Sequence, residues 1–242
     1  MNTVLITGAT SGIGLQLAKD YASQGLKVYA CGRNSNKLSE LSETFSNIQP
    51  LAFDLTDRDA TIAALSSIES VPELWILNAG DCEYIDDGQM DSQLVKRVFE
   101  INVIGLTNAI EGCQKHLTRG HRLAIVGSIA SEVALPRAEA YGASKAAVSY
   151  LARTLQLDLK PKGIEVSIIY PGFVETPLTD KNTFDMPMMV SPQRASQEIR
   201  QGLEQGKSHI YFPKKFTSIL RLIGVLPYRW QNAITSKLLA QG

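Results

Sequence analysis

Seven short apolar runs, at residues 4–7, 27–31, 49–53, 74–77, 123–126, 165–169 and 209–212, punctuate this chain. Between them lie longer stretches with helical spacing, among them 13–23, 37–45, 57–66, 92–113 and 139–159. Most of the runs carry too few polar residues to leave one face in water, the pattern of parallel strands covered by helices on both sides. Strand and helix alternating with short connections predict an α/β fold, a doubly wound parallel sheet with right-handed crossovers. At 242 residues the chain is long enough to bury a substantial core. No repeat, low-complexity tract or linker interrupts it before about residue 205. One domain is expected.

Charge is spread unevenly. Lys plus Arg equals Asp plus Glu, 24 each, so the whole chain has no basic excess to attract nucleic acid. Residues 205–242 nevertheless hold six cations (Lys207, Lys214, Lys215, Arg221, Arg229, Lys237) and no Asp or Glu, which leaves residues 1–204 at minus six. Within that basic stretch residues 216–226 are strongly apolar, and Pro227 predicts a pair of amphipathic helices broken there. Three readings are open: packing on its own domain, a subunit interface, or peripheral contact with an anionic membrane surface. No apolar run approaches the roughly 18–20 residues of a membrane span. The N-terminus leads straight into the first apolar run and reads as a strand, not a signal peptide. Cys31, Cys82 and Cys113, like His116, His121 and His209, are dispersed without metal-ligand spacing. No metal is expected, and the thiols are expected to be reduced in a cytoplasmic protein.

Thr7-Gly8-Ala9-Thr10-Ser11-Gly12-Ile13-Gly14 follows the first run and opens the first helix. Glycines there permit a tight turn, a close backbone approach to a pyrophosphate, and close packing of helix on strand. The helix N-terminus adds free N–H groups and a positive dipole end. The spacing Gly-x-x-x-Gly-x-Gly differs from the general Gly-x-Gly-x-x-Gly fingerprint. A plain structural turn is the other reading, and the place between strand one and helix one favours a nucleotide cradle. The second run ends Ala30-Cys31-Gly32-Arg33-Asn34. With no carboxylate for a ribose 2′-hydroxyl and a guanidinium for a 2′-phosphate, it favours NADP(H), with NAD(H) possible. A solvated loop arginine is the alternative, and Ser11 adds no second basic group in the glycine loop.

Tyr141 and Lys145, at i and i+4, fall on one face of a helix. An ammonium near a phenol favours the phenolate, so a lowered tyrosine pKa is expected and with it a proton donor and acceptor. In isolation the pair reads equally as a helix-surface contact. Ser128 alone reads as a strand-end cap, and Asn102 alone as a polar helix residue with a local hydrogen bond.

Together these segments resemble the short-chain dehydrogenase/reductase family over nearly the full length of the chain. Residues 7–14 are similar to its cofactor motif, Asn78-Ala79-Gly80 to its Asn-Ala-Gly motif, and Pro171-Gly172 to the segment meeting the nicotinamide. Leu77 stands where many members carry a second asparagine. The resemblance implies a single Rossmann-like doubly wound domain over 1–212, a seven-stranded parallel sheet flanked by helices. A basic, apolar helical extension, 213–242, follows, packed on that domain or at an interface. It further implies Asn102, Ser128, Tyr141 and Lys145 as catalytic residues for interconverting a carbonyl and an alcohol. Tyr141 would transfer the proton, Lys145 would depress its pKa and hold ribose hydroxyls, Ser128 would orient the carbonyl oxygen, and Asn102 would hold a water leading to solvent. Implied cofactor contacts are Gly8, Thr10, Ser11, Gly12, Ile13, Gly14, Arg33, Asn34, Asp54, Leu55, Asn78, Ala79, Gly80, Tyr141, Lys145, Pro171, Gly172, Val174 and Thr176. Asp54 would accept from the adenine amino group, or else merely cap the next helix.

Residues 176–191 occupy the place of that family's mobile lid, and Phe184, Met186, Met188 and Met189 suit an apolar, adaptable surface or ordinary packing. As a lid they imply a largely apolar substrate, with Ala134, Leu135 and Tyr84 as further candidates for its pocket. The family resemblance also implies a homo-oligomer, dimer or tetramer, built through the helix carrying Tyr141 and its predecessor. Two other functions are compatible with the fold: an NAD-dependent alcohol dehydrogenase, and a silent redox sensor or scaffold, which would usually have lost Tyr141 or Lys145.

Overall fold

The computed structural model describes residues 1–180 and 186–239, the last three as backbone; Phe184 lies outside the described residues. Seven strands, β1 (Thr3–Thr7), β2 (Lys27–Gly32), β3 (Ile48–Ala52), β4 (Leu74–Leu77), β5 (Arg122–Val126), β6 (Glu165–Pro171) and β7 (His209–Phe212), form one parallel sheet in the order β3-β2-β1-β4-β5-β6-β7. Helices α1 (Gly12–Ser23), α2 (Ser35–Thr44), α3 (Arg58–Ser66), α4 (Ser92–Phe99), α5 (Leu106–Gln114), α6 (Glu139–Leu159) and α7 (Pro192–Glu204) cover it, and α8 (Lys214–Gly224) and α9 (Tyr228–Leu239) follow. The expected α/β doubly wound architecture is what forms.

Period-two alternation in the strands builds two cores. Val4 and Ile6 of β1 with Val28 and Ala30 of β2 face α1, α2 and α7, where Leu17, Leu38 and Ile199 meet them. Leu5, Tyr29, Trp75 and Ile125 point to the other side, against Leu65, Leu106 and Val148. Each such side chain, fully removed from water, contributes about 1.5–3 kcal/mol. Local signals start the helices: Asn34 accepts from the Lys37 amide, Asp57 from Ala60, Asp91 from Gln93 and Leu94, and Ser191 from Arg194 ahead of Pro192.

Two local expectations are corrected. The continuous helix over 92–113 is interrupted by a π-helical turn, Glu100–Gly105, which separates α4 from α5. The cap of α3 is Asp57, not Asp54, whose carboxylate instead accepts from the backbone and hydroxyl of Thr56. Asn34 serves α2 as its cap while standing at the cleft described below.

The C-terminal helices pack on their own chain by one face. Leu220 and Ile223 join Ile129 and Val133 in a small apolar cluster that also takes in Phe216 and Leu135. Gly224 sits so close to the Glu132 carbonyl that a Cβ there would collide with it. Gln231 donates to the carbonyls of Gly224 and Leu226 at 3.0 and 2.8 Å, fixing the turn between α8 and α9. Among the described residues no helix is long and apolar enough to cross a membrane.

Candidate active site

Strand order reverses between β1 and β4, and in open α/β sheets a crevice opens at the carboxyl ends of strands there. A cleft of about 510 Å³ lies at that point. Its floor is built from backbone. Gly8 and Gly12 adopt φ of +67° and +52°, a region costly for residues with a Cβ. A Cβ on Gly14 would collide with the Gly8 carbonyl and come within 2.5 Å of Asn78 Nδ2. Asn78 in turn donates to the carbonyls of Thr7 and Gly8, and Thr7 Oγ1 accepts from the amides of Asn78 and Ala79. The glycine loop and the Asn78-Ala79-Gly80 segment are therefore tied together as one unit. Ser11, the residue before α1, makes no side-chain cap, and the first turn of α1 holds no acidic residue. Its leading amides face the cleft with a positive dipole end, a fit for the phosphates of a dinucleotide.

At one end of the cleft Arg33 Nη1 lies 3.5 Å from Asp54 Oδ2, with side chains 66% and 40% exposed. Burial pulls the Asp54 carboxyl upward, but the two Thr56 hydrogen bonds and Arg33 outweigh it and hold it below the usual carboxylate range. So exposed a pair is worth only about 0–1 kcal/mol, and Arg33 is free to turn to another anion at little cost.

At the other end Ser128, Tyr141 and Lys145 converge. Ser128 ends β5's approach and caps the short 3₁₀ turn Ile129–Ser131 by accepting from the Ala130 amide at 3.2 Å. Its hydroxyl also hydrogen-bonds the Tyr141 phenol, so the capping role and the site role coexist in one side chain. Lys145 Nζ lies 5.8 Å from the Tyr141 ring centroid and donates to the Val126 carbonyl at 3.1 Å. The expected depression of the tyrosine pKa is reversed. Burial drives the phenol far above its ordinary value, and the Ser128 contact recovers only part of that. The same burial pushes Lys145 down to about 8. Desolvation dominates at both groups because the charged form needs the lost hydration far more than the neutral one. At neutral pH the phenol is a proton donor.

Asn102 stands behind this wall and not on the cleft surface. The π-turn that carries it turns its side chain inward, where it is 2% exposed. Its Oδ1 accepts from the Asp81 amide at 2.7 Å, while Nδ2 donates to the Asp81 carbonyl and to Ser144 Oγ, both at 2.9 Å. Ser144 Oγ donates onward to the Tyr141 carbonyl at 2.7 Å. A Cβ on Gly80 would stand 3.0 Å from Asn102 Oδ1 and 3.4 Å from Lys145 Nζ, so Gly80 keeps the crevice between them open.

Of the residues expected from sequence, Gly8, Thr10, Ser11, Gly12, Ile13, Arg33, Asn34, Asp54, Leu55, Asn78, Ala79, Gly80, Ser128, Tyr141, Lys145, Pro171, Gly172, Val174 and Thr176 line the cleft. Gly14 lies beneath the loop. Ala134, Leu135 and Tyr84 do not line the cleft; Leu135 packs with α8, and Tyr84 lies under the Arg137 guanidinium. Sequence reading missed Gly32, where a Cβ would press on the Thr10 side chain at 2.8 Å, and Thr179, whose hydroxyl donates to the Val174 and Thr176 carbonyls. It also missed Phe53 and Ile101 in the wall. The glycine at position 32, directly before Arg33, was a signal that could have been used.

A doubly wound sheet with a glycine cradle at its switch point, facing a Ser-Tyr-Lys cluster in the cleft wall, defines a nicotinamide-dinucleotide oxidoreductase. The chain belongs to the short chain dehydrogenase family, whose pattern it matches over residues 2–186, and is an NAD(P)-dependent dehydrogenase/reductase. It is 31% identical over 235 residues to an uncharacterized oxidoreductase of Myxococcus xanthus, covering 93% of this chain and 92% of that one. It is 30% identical over 185 residues to the NADPH-dependent 1-acyldihydroxyacetone phosphate reductase of Saccharomyces cerevisiae, covering 73% of this chain and 62% of that protein. A short chain dehydrogenase from Burkholderia cenocepacia, solved in complex with NADP, superposes with a TM-score of 0.86 at 24% identity over 97% of both chains.

Proposed function

We propose that this protein reduces an apolar ketone or aldehyde to the alcohol with NADPH. The observation that carries the reading is a protonated, half-buried Tyr141 phenol, hydrogen-bonded by Ser128, at the inner end of a cleft whose outer end carries Arg33. The nicotinamide would supply the hydride. As negative charge grows on the carbonyl oxygen, the Tyr141 phenol donates its proton there, and the Ser128 hydroxyl donates a second hydrogen bond. Lys145 holds the ribose hydroxyls and stabilises the tyrosinate left behind. Asn102 is a positioning residue: through Ser144 it fixes the turn that carries Tyr141, and with Gly80 it borders the crevice through which a water could reach Lys145.

Glycine-loop amides and the α1 terminus take the pyrophosphate, Asp54 the adenine amino group, and Arg33 a 2′-phosphate. The absence of a carboxylate at the end of β2 supports NADP over NAD, as does the NADPH dependence of the yeast relative. An apolar substrate is supported by Phe173 packed at 5.4 Å against the tilted ring of Phe216, and by Met188 and Met189 exposed on the segment beyond Thr179. We further expect a homo-oligomer. Exposed Tyr150 and Leu157 on α6 and Ile104 on the π-turn support the face named from sequence. A cytoplasmic location fits the three buried cysteines.

Recording NADPH oxidation against a panel of aliphatic, cyclic and acyl ketones tests the function. Oxidation that strengthens with acyl chain length is expected. A panel in which no carbonyl is reduced, while NADPH binds, would support the silent sensor instead.

A further inference from the structure

We propose that the outer face of the α8–α9 hairpin docks on an anionic lipid bilayer. The inner face of α8 is fully committed: Thr217, Leu220 and Ile223 are buried against the domain. On its outer face Lys215, Ile219 and Leu222 fall at i, i+4 and i+7, one stripe of the helix. The turn continues that surface with Val225, and the start of α9 adds Tyr228, Arg229 and Trp230. Leu222, Val225, Tyr228 and Trp230 are 66%, 79%, 82% and 53% exposed. Apolar side chains so exposed within one short segment, interspersed with cations, mark an interaction surface.

Charge chooses the occupant. No Asp or Glu occurs in residues 205–242, whereas the remainder of the chain sums to minus six. An anionic surface would therefore repel the body of the protein and attract this end, which sets the orientation as well as the affinity. A symmetric contact with a second copy would bring Lys214, Lys215 and Arg229 of both copies together with no carboxylate in the segment to offset them. Tyr and Trp beside Lys and Arg on a face with exposed aliphatic residues is the composition of a helix lying in the headgroup region.

The surface lies one helix thickness from the chemistry. Phe216, on the inner side of α8, packs on Phe173 and against Gly172, where a Cβ would meet its ring at 2.8 Å. Leu220 and Ile223 pack on Ile129 and Val133, just beyond Ser128. Docking by the outer face would thus place the reacting end of the cleft beside the bilayer. The docking itself does not depend on the reductase reading, and its test reads binding without turnover.

The experiment is co-sedimentation of the full chain with phosphatidylcholine vesicles, with and without phosphatidylglycerol, while tryptophan emission is followed. Trp75 is fully buried and Trp230 half exposed, so a blue shift on binding reports Trp230. Wild type is expected to pellet with the anionic vesicles only, with a blue shift, and to be released by salt. At roughly fivefold per cation, the triple variant Lys214→Gln, Lys215→Gln, Arg229→Gln should bind on the order of 100-fold more weakly at an unchanged melting temperature. Leu222→Gln should also weaken binding without changing the melt. Wild type that fails to pellet, or a triple variant that binds like wild type, overturns the proposal. So does a concentration-dependent mass in solution that the triple variant alters, which would make a second copy the occupant.

Discussion

Two helices near the cleft contribute in opposite ways: α1 opens onto it, whereas α8 packs behind its wall through Phe216 against Gly172. α1 presents backbone: an uncapped N-terminus, a loop with two glycines at positive φ, and a third glycine pressed against a carbonyl. α8 presents side chains: Phe216, Leu220 and Ile223 inward, Lys215 and Leu222 outward. A backbone site tolerates almost no added atom, because every glycine Cβ would enter occupied space. A side-chain surface tolerates many replacements, because solvent or a neighbouring side chain takes up the change. The glycine loop is thus narrowly specified by its backbone, and the outer face of α8 is adjustable.

The largest effect that would break this contrast is expected at Gly14. Gly14→Val forces methyl groups into the Gly8 carbonyl and should cost about 3 kcal/mol or more in urea unfolding. Leu222→Gln on the exposed face of α8 should stay within about 0.5 kcal/mol. Equal costs would erase the distinction.

Next is Lys145, where burial has displaced the pKa from 10.5 to about 8. Below pH 8 the folded state carries the full penalty of a buried cation. Between pH 8 and 10.5 the unfolded chain holds more protons than the folded one, so wild-type stability rises over that window. Lys145→Met should therefore be more stable than wild type by about 2 kcal/mol at pH 7. That figure is about 3 from the shift less roughly 1 for the lost Val126 hydrogen bond. Its advantage should vanish by pH 10.5, and an advantage that grows with pH would contradict the assignment.

Of similar size, but read on binding instead of stability, is Arg33→Ala. Loss of a charge-assisted contact worth about 1.5–3 kcal/mol should raise the NADPH dissociation constant roughly 10- to 100-fold and leave NADH within about threefold. Parallel changes for both cofactors would count against NADP preference.

Features that were legible in the sequence share a physical cause. Strands buried on both faces need unbroken apolar runs, and a phosphate cradle needs glycine, so β1, α1 and the loop between them could be read residue by residue. The Tyr141–Lys145 spacing was equally plain, but its electrostatics were not. Which of burial and attraction wins depends on how much water the fold removes, a tertiary quantity, and burial won. Asn102 was named from the family resemblance, and the helix pattern around it could not reveal its π-turn, because apolar periodicity near 3.6 is hardly disturbed by one extra residue. Asp54 and Asp57 both precede α3, and only the geometry shows which carboxylate reaches its amides. The outward stripe of α8 was visible as composition, while its exposure required knowing which face Ile129 and Val133 would occupy.

Tyr141→Phe tests the central claim most directly, with turnover and cofactor binding measured on the same preparation. Removing one hydroxyl from a half-buried ring keeps its packing, so NADPH should bind within about threefold of wild type. Carbonyl reduction should fall by about 10²–10⁴, the range of a positioned general acid. Turnover within about threefold of wild type on an established substrate would show that the proton comes from elsewhere and that Tyr141 is not the donor.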